Sequence, residues 1–216
     1  MTLLRVDSSI RTDGSVSREV ADSLEEAWSR LHPGPVVRRD LGRDPLPAQA
    51  WSAAVSAAFL PEEQRSPQQR AAVAFAAGLA DEVLAADAIV VASPLYNFGV
   101  PQHLKTWIDL LITDPRLGPG TAPLTGRPLA LVIARGGGYG PGTPRAGWDH
   151  ATPYLEQIFG AVLGADLTLV EAELTLAAVT PAMASLVPQA EQSRVRAREL
   201  AAETGRVLAQ RVAVAA

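Results

Sequence analysis

Apolar positions along the chain follow two alternating rhythms, short unbroken runs and longer stretches in which they recur every three to four residues. The first run, Leu3 to Asp7, stops at a polar, turn-forming segment from Ser8 to Ser17, which predicts a strand and then a loop. From about Ser17, the residues Val20, Ala21, Leu24, Ala27, Trp28 and Leu31 share one helical face while Asp22, Glu25, Glu26 and Arg30 take the other; His32-Pro33-Gly34-Pro35 closes that helix. Val36 to Leu41 predicts a second, more exposed strand. The stretch from Gly42 to Pro67 is rich in proline yet carries Trp51 and Phe59 around an Ala-rich piece of one or two helical turns. Linkers rarely hold large apolar side chains, so this stretch is expected to be a lid or an interface. A helix from about Gln68 to Ala85 leads into Ala88 to Ser93, whose continuous apolar character suits a central parallel strand covered on both faces. The pattern continues with a helix from Pro101 to Ile112, a strand from Leu129 to Ala134 and a glycine- and proline-rich loop from Arg135 to Gly147. A helix from Leu155 to Leu163, a strand from Leu167 to Ala172 and a helix from about Ala190 to Val212 complete it. Five strands alternating with helices predict a doubly wound α/β fold with helices on both faces, for which a parallel sheet in the order 2-1-3-4-5 is one of two common solutions.

A chain of 216 residues supports one sizeable core, so residues 1–216 are expected to form a single domain. The net charge of -4, with Lys105 the only lysine, offers no basic footprint, and nucleic acid is not an expected partner. Met1 to Asp7 has neither a basic n-region nor an apolar h-region, and no apolar run is long enough to span a bilayer, which points to the cytoplasm and away from membranes. Without cysteine there are no disulfides, thiolate metal sites or cysteine nucleophile. His32, His103 and His150 lie too far apart for a local metal motif, so no metal is expected. Redox chemistry would need a borrowed organic cofactor. No G-x-S-x-G occurs, which argues against a hydrolase.

Open parallel sheets bind ligands beyond the carboxyl ends of their strands, where the strand order reverses, so the loops after strands one, three and four carry the chemical interest. The first loop lacks G-x-G-x-x-G but presents Ser9, Ser15 and Ser17 just before a helix. Free N–H groups and the helix dipole there favour an anion, and a phosphomonoester would fit; Ser15 or Ser17 could equally serve as a plain N-cap. The second, Pro94-Leu95-Tyr96-Asn97-Phe98-Gly99, sets an aromatic and an amide at the end of the most apolar strand, where a flat ring could lie, although both aromatics could simply cover core. The third, Arg135-Gly136-Gly137-Gly138-Tyr139, lets backbone approach a planar ligand closely. Its N–H groups, with Arg135, could stabilise negative charge on a ring edge, or the glycines could be a flexible connection.

Taken in order, Ser8-Ser9 with Ser15-Val16-Ser17, Pro94-Leu95-Tyr96-Asn97-Phe98, Leu104-Lys105, Arg135-Gly136-Gly137 and Thr152-Pro153-Tyr154-Leu155 resemble the FMN-dependent NADH azoreductases, relatives of the flavodoxin-like NAD(P)H quinone reductases. The resemblance covers nearly the whole chain. It implies a flavodoxin-like fold, FMN as cofactor, NADH or NADPH as electron donor, and a homodimer with two sites at its interface. It also implies a ping-pong reaction on quinones, azo compounds or similar flat acceptors. By resemblance Ser9, Ser15, Val16 and Ser17 bind the FMN phosphate, Pro94, Leu95, Tyr96, Asn97 and Phe98 hold the isoalloxazine, and Arg135, Gly136 and Gly137 contact its pyrimidine edge. Tyr96, Tyr139 and His150 are candidate substrate contacts, and no side chain is expected to be an indispensable acid or base. Lys105 and Asp109, at i, i+4, read as a solvated pair.

Three departures from the family pattern bear on the acceptor rather than on the flavin. Ala134 stands where serine is usual, Thr113 to Leu124 is short and lacks an aromatic pair, and the loop from Gly138 to Trp148, with Tyr139 and Trp148, is placed to supply part of the substrate wall instead. The short segment motivates a second expectation, a specialised flavoenzyme of secondary metabolism acting on one polycyclic or quinonoid intermediate. A third is an FMN-carrying electron-transfer protein with no substrate of its own.

Overall fold

Side-chain alternation along five parallel strands divides the apolar residues between two layers. β1 (Leu3–Asp7), β2 (Val36–Asp40), β3 (Ala88–Pro94), β4 (Pro128–Ala134) and β5 (Asp166–Ala172) pair in the order β2-β1-β3-β4-β5 in the computed structural model, which describes residues 1–215. This is the sheet order expected from the sequence. Leu4, Val6, Ile89, Val91, Leu129, Leu131 and Ile133 face one layer, where α3 (Pro67–Ala85) and α4 (Gln102–Thr113) pack. Leu3, Ala88, Val90, Ala92, Ala130 and Val132 face the other, against α1 (Val16–Leu31) and α6 (Val187–Ala215). β1, β3 and β4 are buried along their whole length, which explains their largely apolar make-up, with Arg5 and Asp7 of β1 buried as an ion pair, whereas the edge strand β2 exposes Val37 and Arg38. Each Leu or Val fully removed from water in these layers contributes about 1.5–3 kcal/mol. No helix of the described residues is long and apolar enough to cross a membrane.

Element boundaries differ from expectation where local chemistry outweighs periodicity. β3 runs through Pro94, because the next ladder bond is donated by the Leu95 amide to Ala134 O (2.8 Å) and none is asked of the proline. The helix expected from Leu155 starts as α5 (Thr152–Glu156), with Pro153 suited to a first turn, and passes into a π-helical turn over Gln157–Val162. α6 begins at Val187, three residues before the expected start. Inside the proline-rich stretch the Ala-rich piece is α2 (Ala50–Ala57), which buries Ala50, Ala54 and Ala57 while Trp51 and Phe59 stay exposed. The short Thr113 to Leu124 segment buries Leu117 and Leu124 and lies down on the core.

The ends of β1 and β3 matter most for a ligand. From β1 the chain turns to β2 on one side and returns as β3 on the other, so connections leave in opposite directions and a crevice opens beyond Asp7 and Pro94. Behind it α1 and α6 approach so closely that a Cβ at Gly205 would overlap the Leu24 carbonyl. Gly78 in α3, by contrast, has open space where its Cβ would be. Gly205→Ala should therefore lower the free energy of unfolding in urea by about 1–3 kcal/mol, while Gly78→Ala should raise it by about 0.5–1 kcal/mol. Equal effects from the two substitutions would contradict this account of the α1–α6 contact.

Candidate functional site

The serine turn is held from below by charge. Arg18, in the first turn of α1, sends Nη1 and Nη2 to the two carboxylate oxygens of Asp40 at 2.6 Å each. The same Nη2 donates to Ser9 O (2.8 Å) and Nε donates to Arg11 O (3.1 Å), so one guanidinium joins the end of β2 to the turn after β1. Asp40 accepts in addition from the Gly42 and Arg43 amides. Burial pushes the Asp40 carboxyl up, but these donations, with that of Arg18 foremost, outweigh it and hold the group below its ordinary value. A Cβ at Gly42 would overlap the Ser9 carbonyl, so only glycine lets the two turns meet. Deeper in, Arg5 pairs with Asp7 (2.9 Å), Asp22 (2.6 Å) and Glu25 (3.1 Å); burial outweighs the arginines at Asp7 and raises its carboxyl.

Above this base the hydroxyls are only partly committed. Ser8 turns back to the sheet, donating to Ala92 O (3.0 Å). Ser15 is the N-cap of α1, accepting from the Arg18 amide at 3.5 Å, and its Oγ lies 3.3 Å from that of Ser17. Ser9 Oγ accepts from the Arg11 amide and lies 3.3 Å from the Tyr96 hydroxyl. The first amides of α1 have no partner within the helix, and its dipole adds positive potential at the same place. In the second turn Tyr96 and Gly99 exchange backbone hydrogen bonds (3.2 and 2.9 Å) around Asn97 and Phe98, both with positive φ (48° and 66°). Two consecutive left-handed non-glycine residues cost about 1–2 kcal/mol each, strain of a kind that gathers at functional sites.

The turns after β1, β3 and β4 converge on one cavity of about 140 Å3, lined by Ser9, Ser15, Val16, Ser17, Pro94, Leu95, Tyr96 and Gly136. Ala134, the residue that departs from the family pattern, lines it as well. Asn97, Phe98 and Gly137 do not line it; they follow directly on the two turns that flank it. Arg11, Thr175 and Leu176 also line the cavity and were not named from the sequence. Leu176 comes from the segment after β5, whose backbone follows the glycine turn: the amides of Leu174, Thr175 and Leu176 donate to the carbonyls of Gly137, Arg135 and Gly136. A Cβ at Gly136 would lie 2.7 Å from Leu176 Cδ1, the tip of a side chain that is 42% exposed, so the two residues meet face to face at the cavity. The rule that ligands bind beyond strand ends applies equally to residues 173–176 after β5.

Residues 1–200 match a family described as having a flavodoxin-like fold. A curated relative from Frankia casuarinae, named FMN-dependent NADH:quinone oxidoreductase, is 43% identical over 199 residues, covering 90% of this chain and 94% of the relative. One of the same name from Streptomyces avermitilis is 40% identical over 215 residues, covering 98% and 99%. The chain belongs to this flavodoxin-like family. Among solved structures, that of azoreductase AzrA is 26% identical with a TM-score of 0.77, covering 95% of this chain and 99% of that one.

Arg135 is committed within the protein and does not line the cavity. Its side chain is buried, and its Nη2 lies 2.7 Å from Asp149 and 2.5 Å from Glu171 while Nη1 lies 3.4 Å from Glu173. Nη2 also donates to Thr152 Oγ1 (3.0 Å). Its charge is spent inside the protein, and it ties both ends of the glycine-rich loop to the end of β5. Burial pushes the Asp149 carboxyl up, but the Thr152 amide and hydroxyl, Arg135 and the Ala151 amide more than offset that and hold it below its ordinary value. Tyr139 sits on the same loop, its amide donating to Glu173 Oε1 (3.0 Å), and the His150 amide donates to Phe98 O (3.0 Å), stitching the loop to the second turn. Neither Tyr139 nor His150 lines the cavity. Lys105 and Asp109 form the expected exposed pair (2.5 Å).

A carboxylate held below its usual value stabilises the fold above the unfolded-state value, about 4, and loses that contribution as pH falls through its folded value. Protection of residues 136–150 from protease should therefore be lost as the pH falls below about 4. Asp149→Asn should remove that acid transition and cost about 1–2 kcal/mol at neutral pH. A variant that kept the transition would assign it to another carboxylate.

Proposed function

We propose that this chain is an FMN-dependent NADH:quinone oxidoreductase, reducing quinones, azo compounds or similar flat conjugated acceptors. The observation that carries the reading is the meeting of three turns in one cavity at the point where the strand order reverses. The relatives of about 40% identity, named for this activity, support it. The residues suit FMN: three serine hydroxyls, the open amides of the first turn of α1 and the cation Arg11 match a phosphate dianion, and glycine at 136 allows close approach to a flat ring. Ser9, Ser15, Ser17 and the Val16 amide would hold the phosphate. Pro94, Leu95 and Tyr96 would flank the ring, with Asn97 and Phe98 shaping the turn and Gly136 and Gly137 meeting its far edge through their backbone. When bound, FMN supplies the two-electron step, taking a hydride from NADH and, with a proton, passing it to the acceptor. The protein's part is to hold and orient; Tyr96 keeps its hydroxyl beside Ser9, and no lining side chain is placed as a required acid or base.

Residues 1–216 would act as one domain in the cytoplasm, with a homodimer as the working unit. Exposed Trp51 and Phe59, the latter 82% exposed, and the apolar hollow between α2 and α3 lined by Pro47, Ala53 and Phe75 support an interface on that side.

FMN-loaded protein under anaerobic conditions should bleach on addition of an equimolar amount of NADH and recover its absorbance when a quinone is added. Steady-state rates against both substrates should give parallel double-reciprocal lines, the mark of two half-reactions sharing one site. Protein that bleaches but is reoxidised by no quinone or azo compound would instead be an electron carrier. Protein that retains no FMN would end the proposal.

A further inference from the structure

Beyond the cavity, the two turns that flank it are joined by an aromatic cluster. The Phe98 ring meets Trp148 edge-on with centroids 5.6 Å apart and Tyr139 edge-on at 6.5 Å. Trp148 is 53% exposed and Phe98 39%, too open for core and too closely grouped to be scattered surface residues. Arg145 lies on the same loop, its guanidinium 5.9 Å over the Tyr139 ring and its Nη1 2.8 Å from where a Cβ at Gly137 would be. The arginine is exposed and, among the described residues, pairs with no carboxylate. The neighbouring acids are already engaged: Asp149 accepts from Arg135, Thr152 and the Ala151 amide, and Glu173 from Arg135 and the Tyr139 amide. A planar cation resting on an aromatic face, beside an exposed aromatic cluster, is built to receive a flat ring that carries an acid group.

We propose that Arg145 selects the acceptor: that this enzyme favours quinones bearing a carboxylate or sulfonate, with the ring against Phe98, Tyr139 and Trp148 and the acid group on the guanidinium. This rests on the quinone-reductase reading above and narrows its substrate class. The site follows from the residues in which this chain departs from the family pattern. The segment after α4 is pinned to the core by Leu117 and Leu124, and the aromatic cluster joins the two turns that flank the cavity without lining it.

The test compares the FMN-loaded wild type with Arg145→Gln and Arg145→Lys, using a naphthoquinone monosulfonate and unsubstituted naphthoquinone as acceptors, with NADH saturating. Intrinsic differences between the two quinones cancel in the ratio of ratios. The kcat/KM for the sulfonate relative to the neutral quinone should fall about tenfold in Arg145→Gln, the scale of one partly exposed charge-assisted contact. Arg145→Lys should restore part of it, since the charge remains and the planar fork is lost. In the wild type the preference should weaken as salt is raised, and in Arg145→Gln it should not depend on salt. Equal losses on both quinones would make Arg145 a support for the loop and overturn the proposal, as would no loss on either. A further arm measures reduction of the bound flavin by NADH and by uncharged benzyl dihydronicotinamide. A loss confined to NADH, with the quinone ratio unchanged, would assign the arginine to the donor's phosphates and overturn the proposal in favour of donor recognition. If the wild type reduces neither quinone, the underlying reductase reading has failed rather than this refinement of it.

Discussion

One guanidinium sets the geometry on which the site depends. Arg18 grips Asp40 with two nitrogens and, with the remaining capacity of its fork, holds the carbonyls of Ser9 and Arg11. The end of β2, the turn after β1 and the start of α1 thereby become one rigid body, and Gly42 permits the approach that the clamp enforces. With its carbonyls committed to the protein, the turn leaves the hydroxyls of Ser9, Ser15 and Ser17 and the first amides of α1 at the cavity. A lysine could match the charge but not the planar fork that reaches Asp40 and the Ser9 carbonyl together. Buried charge is expensive unless matched, and here Arg5, Asp7, Arg18 and Asp40 form a connected group in which each has a partner.

The glycine turn is organised by the same device on the other side of the crevice. Arg135 there gathers Asp149, Glu171 and Glu173, fixing the long loop to the end of β5. Arg18 and Arg135 both spend their side chains on holding loops. Charge that faces outward is carried by Arg11 in the cavity and Arg145 beside it. The cations that hold loops are thus largely shielded from solvent, whereas Arg11 and Arg145 are exposed.

The sheet order, the layers and the three converging turns were legible because their causes are local and repetitive. β3 and β4 are almost wholly apolar since both faces are covered, and the helices announce their buried faces at 3.6-residue spacing. The role of Arg135 was not legible, because it depends on Asp149, Glu171 and Glu173, acids brought to it from other segments by folding. Thr175 and Leu176 were missed for a related reason: their place at the cavity comes from backbone pairing with the glycine turn, and nothing in Leu174-Thr175-Leu176 as a string records that. Pro94, which the sequence places at the start of the loop, lies inside β3, since a proline is tolerated wherever the ladder does not require its amide.

The central claim is that the serine turn receives a phosphate, and the most direct measurement compares the affinity of the apoprotein for FMN with that for riboflavin, which differs only by lacking that group. Two to three hydrogen bonds to a dianion correspond to FMN binding at least about 100-fold more tightly. The double variant Ser15→Ala, Ser17→Ala should collapse most of that gap while leaving riboflavin binding near its wild-type value. Equal affinity of the wild type for the two flavins, or a gap left unchanged by the double substitution, would contradict the account.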